Sequence, residues 1–353
     1  MKEPSTLLVT GGAGFIGSNF VHRAIDDGHR VVTLDALTYA GSIENLTTLS
    51  ATDRHTFVHG SINDRSLVSQ LLAKHRPQTV INFAAQTHVD RSIDDPCAFV
   101  NTNVVGTHEL LEATLSYWRG LSGDARERFR FLHISTDEVY GPLAQGRSSE
   151  NSRYAPSSPY AASKAAADHL VRAYHVTFGL PVLITNCGNN YGPRQFPEKL
   201  IPLMILTALA REKLPVYGDG KHVRDWLHVD DHCSALMQVI DRGRPGETYN
   251  IGAHCERCNI DVVRRICDIL DRLRPREGSY QSLISYVADR PGHDRRYSLD
   301  TSRIAHELGW QPMVSFEEGL ERTMTWYLNN PLWCERVQGG KDNIARVAFG
   351  RAG

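Results

Sequence analysis

Polar and apolar positions in this chain switch repeatedly between two periods. Strand-like runs fall at 7–10, 30–34, 55–59, 79–83 and 181–185, and another apolar run closes on Ile134-Ser135. Stretches with helical spacing lie between them: from a glycine turn to about 27, then 64–75, then 100–117 with a broad apolar stripe. A helix is expected from 159, because Ser157 or Ser158 can cap it, Pro159 suits its first position and alanines carry it onward. The run 200–210 contains Pro202 and reads as a buried helix, and 316–328 as a later helix. Residues 186–193 are rich in turn formers, and 339–353 read as a loosely ordered tail. Strand followed by helix, repeated, predicts an α/β fold built on a doubly wound parallel sheet. In this reading 1–186 form the first domain, with about 226–252 returning to it, 187–335 form a smaller C-terminal domain, and 336–353 form the tail.

The first strand runs into Gly11-Gly12-Ala13-Gly14-Phe15-Ile16-Gly17. Glycines there permit a tight turn and let backbone N–H groups and a helix N-terminus approach a pyrophosphate. The second strand ends on Asp35, where an acidic side chain meets an adenosine ribose and repels a 2′-phosphate. A glycine turn alone is a weak signal. Strand, turn, helix, strand and acid in that order make a specific one: a Rossmann-type domain with NAD rather than NADP. Ala84-Ala85 after the fourth strand suit close approach to a cofactor, while Thr87 and His88 can face a substrate. Solvated loop polarity is the other reading of His88 and Arg91.

Thr136-Asp137-Glu138 sets a hydroxyl and two adjacent carboxylates at a strand end, where open α/β sheets present reactive groups. Tyr160 and Lys164, four apart, share a helix face. A free phenol has a pKa of about 10, so a tyrosine base needs its anion favoured, and a nearby lysine cation supplies part of that. Each feature has a plainer reading: an amphipathic helix for the pair, a loop cap for the acids. Together they point to a catalytic centre.

Composition narrows the picture by exclusion. A net charge of -1 over 353 residues carries no nucleic-acid or membrane signature. The 16 histidines are scattered without metal-binding spacing, so no metal is expected. Seven cysteines make an odd number, and Cys255 with Cys258 form a lone pair that reads as free thiols. No apolar run is long enough to span a bilayer, and Met1-Lys2-Glu3-Pro4 passes into a strand without a signal-peptide core. A reduced, cytoplasmic enzyme is expected. Arginine recurs late in the chain at Arg211, Arg224, Arg290, Arg295 and Arg296, a residue type suited to diphosphates and equally common on surfaces.

Over nearly its whole length, from Gly11 through Trp326, the chain resembles the extended short-chain dehydrogenase/reductase family. The specific stretches are Thr136-Asp137-Glu138-Val139-Tyr140-Gly141, Tyr160 with Lys164, 186–193, Pro197-Glu198-Lys199-Leu200-Ile201-Pro202, and Asp289-Arg290-Pro291-Gly292-His293-Asp294-Arg295-Arg296. Members that only epimerise a sugar share the glycine turn, the tyrosine and the lysine but lack the acidic pair. The resemblance therefore implies a hydro-lyase acting on a nucleotide-diphosphate glucose, with dTDP expected and UDP the alternative. In the reaction it implies, Tyr160, assisted by Lys164 and Thr136, takes the carbon 4 hydroxyl proton while hydride passes to NAD. Glu138 then removes the carbon 5 proton, and Asp137 protonates the departing carbon 6 hydroxyl.

The cofactor contacts it implies are Gly11, Gly14, Phe15, Ile16, Gly17, Asp35, Thr38, Ser61, Ile62, Ala84, Tyr160 and Lys164. The substrate contacts are Thr87, Asn189, Lys199, Arg224, Asn259, Arg290 and His293, with Pro215 and Tyr217 flanking the base; Asn259 would otherwise cap a helix beginning at Ile260. Three positions depart from the family pattern: Ser61 stands where an acid usually meets the adenine, Ala36 replaces a lysine, and Gln86 replaces a glutamate. A homodimer is expected; the apolar stripe over 100–117, with the Tyr160 helix, offers a seam for it, and burial within one subunit explains the same pattern. A sugar 4-epimerase and a non-catalytic dinucleotide sensor are the competing readings.

Overall fold

The computed structural model of the protein describes residues 4–289 and 292–338. Seven strands form one sheet in the order β3-β2-β1-β4-β5-β6-β10, and every neighbouring pair is parallel. They are β1 (Thr6–Thr10), β2 (Arg30–Asp35), β3 (His55–His59), β4 (Thr79–Asn82), β5 (Arg130–Thr136), β6 (Val182–Cys187) and β10 (Thr248–Ile251). The inner strands are buried except at the first residue of β1 and of β5, as the continuous apolar runs require when helices cover both faces. The helix Phe15–Asp26 packs on one face; Arg65–His75 and Thr107–Arg119 cover the other with Pro159–Phe178. The strand order reverses direction between β1 and β4, and a crevice opens there at the carboxyl ends of the strands.

The remaining elements form a second core. A three-stranded sheet runs β11-β9-β7, with β7 at Asn189–Tyr191, β9 at Val223–His228 and β11 at Glu256–Cys258; β12 (Ile284–Val287) pairs with β8 (Leu214–Tyr217). Helices Leu200–Leu209, Asn259–Leu273 and Phe316–Asn329 pack beside them. Leu200–Leu209 is apolar nearly all round, and Pro202 falls in its first turn, where a missing N–H costs no helix bond.

Several boundaries differ from the sequence pattern. The stretch 186–193 is not simply a turn: β6 continues to Cys187 and β7 follows at once. Asn186 sustains the extension because its Nδ2 donates to the Thr136 carbonyl across β5 and β6 at 3.0 Å. The helix expected over 100–117 begins as a wide, π-type coil at Val100–Gly106 and becomes α-helical only over Thr107–Arg119. A helix at Pro331–Gln338 extends into the stretch expected as tail, anchored by Trp333, whose indole donates to Asn45 Oδ1 at 2.9 Å. The rest of that tail, 339–353, lies outside the described residues.

Candidate active site

The crevice begins at the glycine turn. Gly11 has φ +69°, and a β-carbon there would sit 2.5 Å from the Ala84 nitrogen. At Gly17 it would sit 2.3 Å from the Gly11 carbonyl oxygen. Gly14 caps Phe15–Asp26 without a side-chain bond, so the first-turn N–H groups remain directed at the crevice. Asp35 also braces the turn: its two carboxylate oxygens accept from the backbone N–H of Ala13 and of Leu37, each at 2.8 Å. All the residues expected to hold the cofactor line this one cavity. Ser61 does so with its hydroxyl committed to the local turn, donating to Asn63 Oδ1 at 3.0 Å. Gln86 is held through its backbone, which exchanges bonds of 2.8 and 3.1 Å with the Asn103 amide, so that clamp is indifferent to its side chain.

β5 delivers the acids to the same cavity. Thr136 caps a short 3₁₀ turn, Asp137–Tyr140: its Oγ1 accepts from the Glu138 N–H at 3.3 Å and donates to Asp137 Oδ1 at 3.2 Å. Asp137 is pushed up to about 8, by burial first and by the Glu138 charge second, with Arg224 opposing. Its other oxygen, Oδ2, has no hydrogen-bond partner among the described residues.

Tyr160 and Lys164 come from the helix Pro159–Phe178, capped by Ser158, whose Oγ accepts from the Ala161 N–H at 3.1 Å. Ser157 instead hydrogen-bonds Asp294. Burial raises the proton affinity of Tyr160 well above that of a free phenol; the Glu138 charge adds to this, and a hydrogen bond with Thr136 works against it. In the chain by itself the pocket therefore favours the neutral phenol. Burial likewise lowers Lys164, partly offset by Asp168.

A buried polar chain behind the pair escaped the sequence reading. Lys164 Nζ donates to the Ile134 carbonyl at 2.7 Å, and His133 Nε2 lies 3.5 Å from both Lys164 Nζ and Asp168 Oδ1. Asp168 Oδ2 accepts from Ser135 at 2.8 Å and from Tyr154 at 2.9 Å. On the far side, Thr10 donates to Asn82 Oδ1 at 2.7 Å, which leaves Asn82 Nδ2 to face His133 Nδ1 at 3.2 Å. The available signal was polarity at positions whose neighbours make them core: His133 sits within an apolar strand and Asp168 on the inner face of an alanine-rich helix.

The expected substrate residues fall in two groups. Thr87, Asn189 and Lys199 line the main cavity. Tyr217, His293 and Asn259 gather around β8, at the second core: the Tyr217 and His293 rings lie 6.0 Å apart, and Asn259 N–H donates to the His222 carbonyl. Pro215 lies on β8 itself. Asn259 is the first residue of its helix rather than the cap, and its Oδ1 is buried without a partner among the described residues. Arg224 joins the groups; its guanidinium donates to the carbonyls of Val223 and Asp294 while its charge reaches Asp137. Arg290 lies outside the described residues.

His222, Asp289 and His293 approach closely enough to suggest a metal site. The imidazoles of His222 and His293 stack 3.6 Å apart and 14° from parallel, and Asp289 Oδ2 lies 3.3 Å from His222 Nε2. Asp289 also joins His293 by a 2.6 Å bond to Nδ1.

A doubly wound NAD-type sheet with a tyrosine and lysine on one helix turn beside the cofactor crevice defines an extended short-chain dehydrogenase/reductase. Within that class the chain belongs to the GDP-mannose 4,6 dehydratase family, whose model matches residues 8–323. It is 58% identical over 346 residues to the dTDP-glucose 4,6-dehydratase of Xanthomonas campestris pv. campestris strain B100, covering 97% of this chain and 99% of that one. The dTDP-glucose 4,6-dehydratase of Streptomyces venezuelae, solved with NAD bound, superposes with a TM-score of 0.86 at 46% identity, covering 94% of this chain and 99% of that one. The Bacillus anthracis enzyme of the same name, also in complex with NAD, gives 0.84 at 43%, with coverages of 94% and 99%.

Proposed function

We propose that the chain is an NAD-dependent hydro-lyase converting dTDP-glucose to dTDP-4-keto-6-deoxyglucose. The observation that carries this is a buried carboxylic acid, Asp137, held protonated to about pH 8 in the same cavity as Tyr160 and Glu138. A 4-epimerase returns hydride to the carbon it came from and has no leaving group to protonate.

The proton on carbon 5 of a hexose is not acidic until carbon 4 is a ketone. Tyr160, oriented by Lys164 and Thr136, takes the carbon 4 hydroxyl proton. NAD, when bound, accepts the carbon 4 hydride and gives it back at carbon 6, and its oxidised, cationic form offsets the high proton affinity of the buried phenol. Glu138 removes the carbon 5 proton; Asp137 donates to the carbon 6 hydroxyl, which leaves as water. Glu138 then returns a proton to carbon 5. Gly11, Gly14 and Gly17 with the backbone of Phe15 and Ile16 hold the pyrophosphate, Asp35 and Thr38 the ribose, Ser61 and Ile62 the adenine, and Ala84 the nicotinamide half. Thr87, Asn189 and Lys199 face the sugar and its diphosphate with Arg224, while Pro215, Tyr217, Asn259 and His293 take the nucleoside end.

The exposed apolar residues Ile93, Val100 and Val105 beside the helix Pro159–Phe178 support a homodimer joined across that face. No described helix is long and apolar enough to cross a membrane, and all the cysteines are free, in keeping with a cytoplasmic enzyme.

Turnover on dTDP-glucose, UDP-glucose and the matching galactose compounds tests the substrate. One methyl recognised in an apolar pocket is worth about 1–3 kcal/mol, so dTDP-glucose is expected to lead UDP-glucose by roughly 10-fold or more in kcat/KM. Absence of a 4-keto-6-deoxy product from every compound would defeat the proposal.

A further inference from the structure

The proposed reaction leaves two groups out of balance. Glu138 takes a proton from carbon 5 and gives one back, so it ends where it began. Tyr160 ends each cycle with a proton it did not have, taken from the carbon 4 hydroxyl. Asp137 ends without one, having lost it to the departing water. A second turnover needs the phenol deprotonated and the carboxyl protonated, so one proton must move from Tyr160 to Asp137 or be exchanged with solvent at both places. Both side chains are buried, with Tyr160 8% and Asp137 4% exposed before any ligand covers them.

The Thr136 hydroxyl stands between them: it donates to Asp137 Oδ1 at 3.2 Å, and it is the neighbour that works against the high proton affinity of the Tyr160 phenol. We propose that the Thr136 hydroxyl carries the proton from Tyr160 to Asp137 and so resets the site between turnovers without solvent. The inference rests on the dehydratase reading above. In the transfer the phenol O–H bond breaks as a new O–H bond forms at Thr136 Oγ1, and the hydroxyl's original proton passes to Asp137 Oδ1. No electrons move between groups, and the threonine is unchanged. Two hydrogen bonds reverse their direction together: before, Tyr160 donates to Thr136 and Thr136 to the carboxylate; afterwards, Asp137 donates to Thr136 and Thr136 to the phenolate.

The surroundings favour this route. The Glu138 N–H fixes Thr136 Oγ1 by donating to it at 3.3 Å, so the relay atom does not swing between partners. Asp137 offers Oδ1 to Thr136, and its Oδ2, beside Gly188, has no partner among the described residues, so the carboxyl can turn and bring the proton received at Oδ1 to the leaving hydroxyl. Cys187, which also stands near the phenol, offers no such bridge: it donates backwards to the Ser135 carbonyl, and burial raises its thiol to about 12.

The test separates the first turnover from those that follow. Holoenzyme of Thr136→Val, mixed with excess dTDP-glucose in a rapid-quench instrument, is expected to form about one product per active site and then continue on the order of 100-fold more slowly, the usual scale for loss of a placed proton carrier. Thr136→Ser keeps the oxygen and is expected to sustain turnover with no such break. If the valine variant slows the first and later turnovers equally, Thr136 only positions Tyr160, and the relay is wrong while the dehydratase reading stands. If it sustains wild-type turnover, solvent resets the site and the relay is again wrong. Should valine not fold, a serine variant that bursts and then stalls overturns the relay without it. Failure of the wild-type holoenzyme to make any 4-keto-6-deoxy product would instead defeat the dehydratase reading itself.

Discussion

Asp137 and Glu138 are chemically alike, adjacent, and asked to work in opposite protonation states. The chain separates them by environment. Asp137 turns inward, where burial and its neighbour's charge hold its proton to about pH 8, while Glu138 is only partly buried. The sign of the resulting pH effect is fixed. The elimination step needs the acid form, which is present below about 8 and lost above it, so its rate is expected to fall about 10-fold per pH unit beyond that point. Rapid-scan observation of the reduced cofactor separates this step from oxidation. In Asp137→Asn the alkaline limb is expected to vanish along with most of the elimination rate; a limb that survives unchanged would belong to another group. Thr136, Asp137, Glu138, Tyr160 and Lys164, the residues proposed to act on the substrate, could be singled out in the sequence, because they follow a strand end or open a helix with a recognisable partner. The supporting His133 and Asp168 were not. Their significance comes from β4, β5 and one helix meeting in space, and no local spacing records that.

The elements impose tolerances on the site. Phe15–Asp26 must lie close against the turn that precedes it, and Gly17 allows this. In Gly17→Ala the β-carbon would fall 2.3 Å from the Gly11 carbonyl oxygen, which is backbone and has little room to yield. A cost of about 1–3 kcal/mol is expected, with NAD retention reduced roughly 10-fold or more, measurable as cofactor content after gel filtration and as a lowered Tm. A variant that keeps its NAD and its Tm would contradict this packing. The strands and helices with clean periodicity were readable to within a few residues. β7 was not, because Asn189-Asn190-Tyr191 has the composition of a turn and becomes a strand only by pairing with β9. The wide coil at Val100–Gly106 was hidden for a similar reason. Asn103 reaches from it to the Gln86 backbone and to Ser163, and those distant bonds, rather than local propensity, accompany the departure from α geometry.

Across the whole molecule, the crevice owes its position to a sheet whose order reverses between β1 and β4 and to a second core set against the carboxyl ends of the strands. The alternation of strand and helix made the first part readable. A return of about 226–252 to the first domain was expected, but that β10 pairs with β6 in particular could not be read from periodicity, since a four-residue strand says nothing of its neighbour. In the proposed reaction the carbon 4 hydride is held by NAD while two neighbouring acids expel water, and is returned two carbons away. Deuterium placed on carbon 4 of dTDP-glucose tests it most directly. The label is expected on carbon 6 of the 4-keto-6-deoxy product, while carbon 5 takes up a hydrogen from solvent. Label recovered on carbon 4, or lost to water, would contradict it.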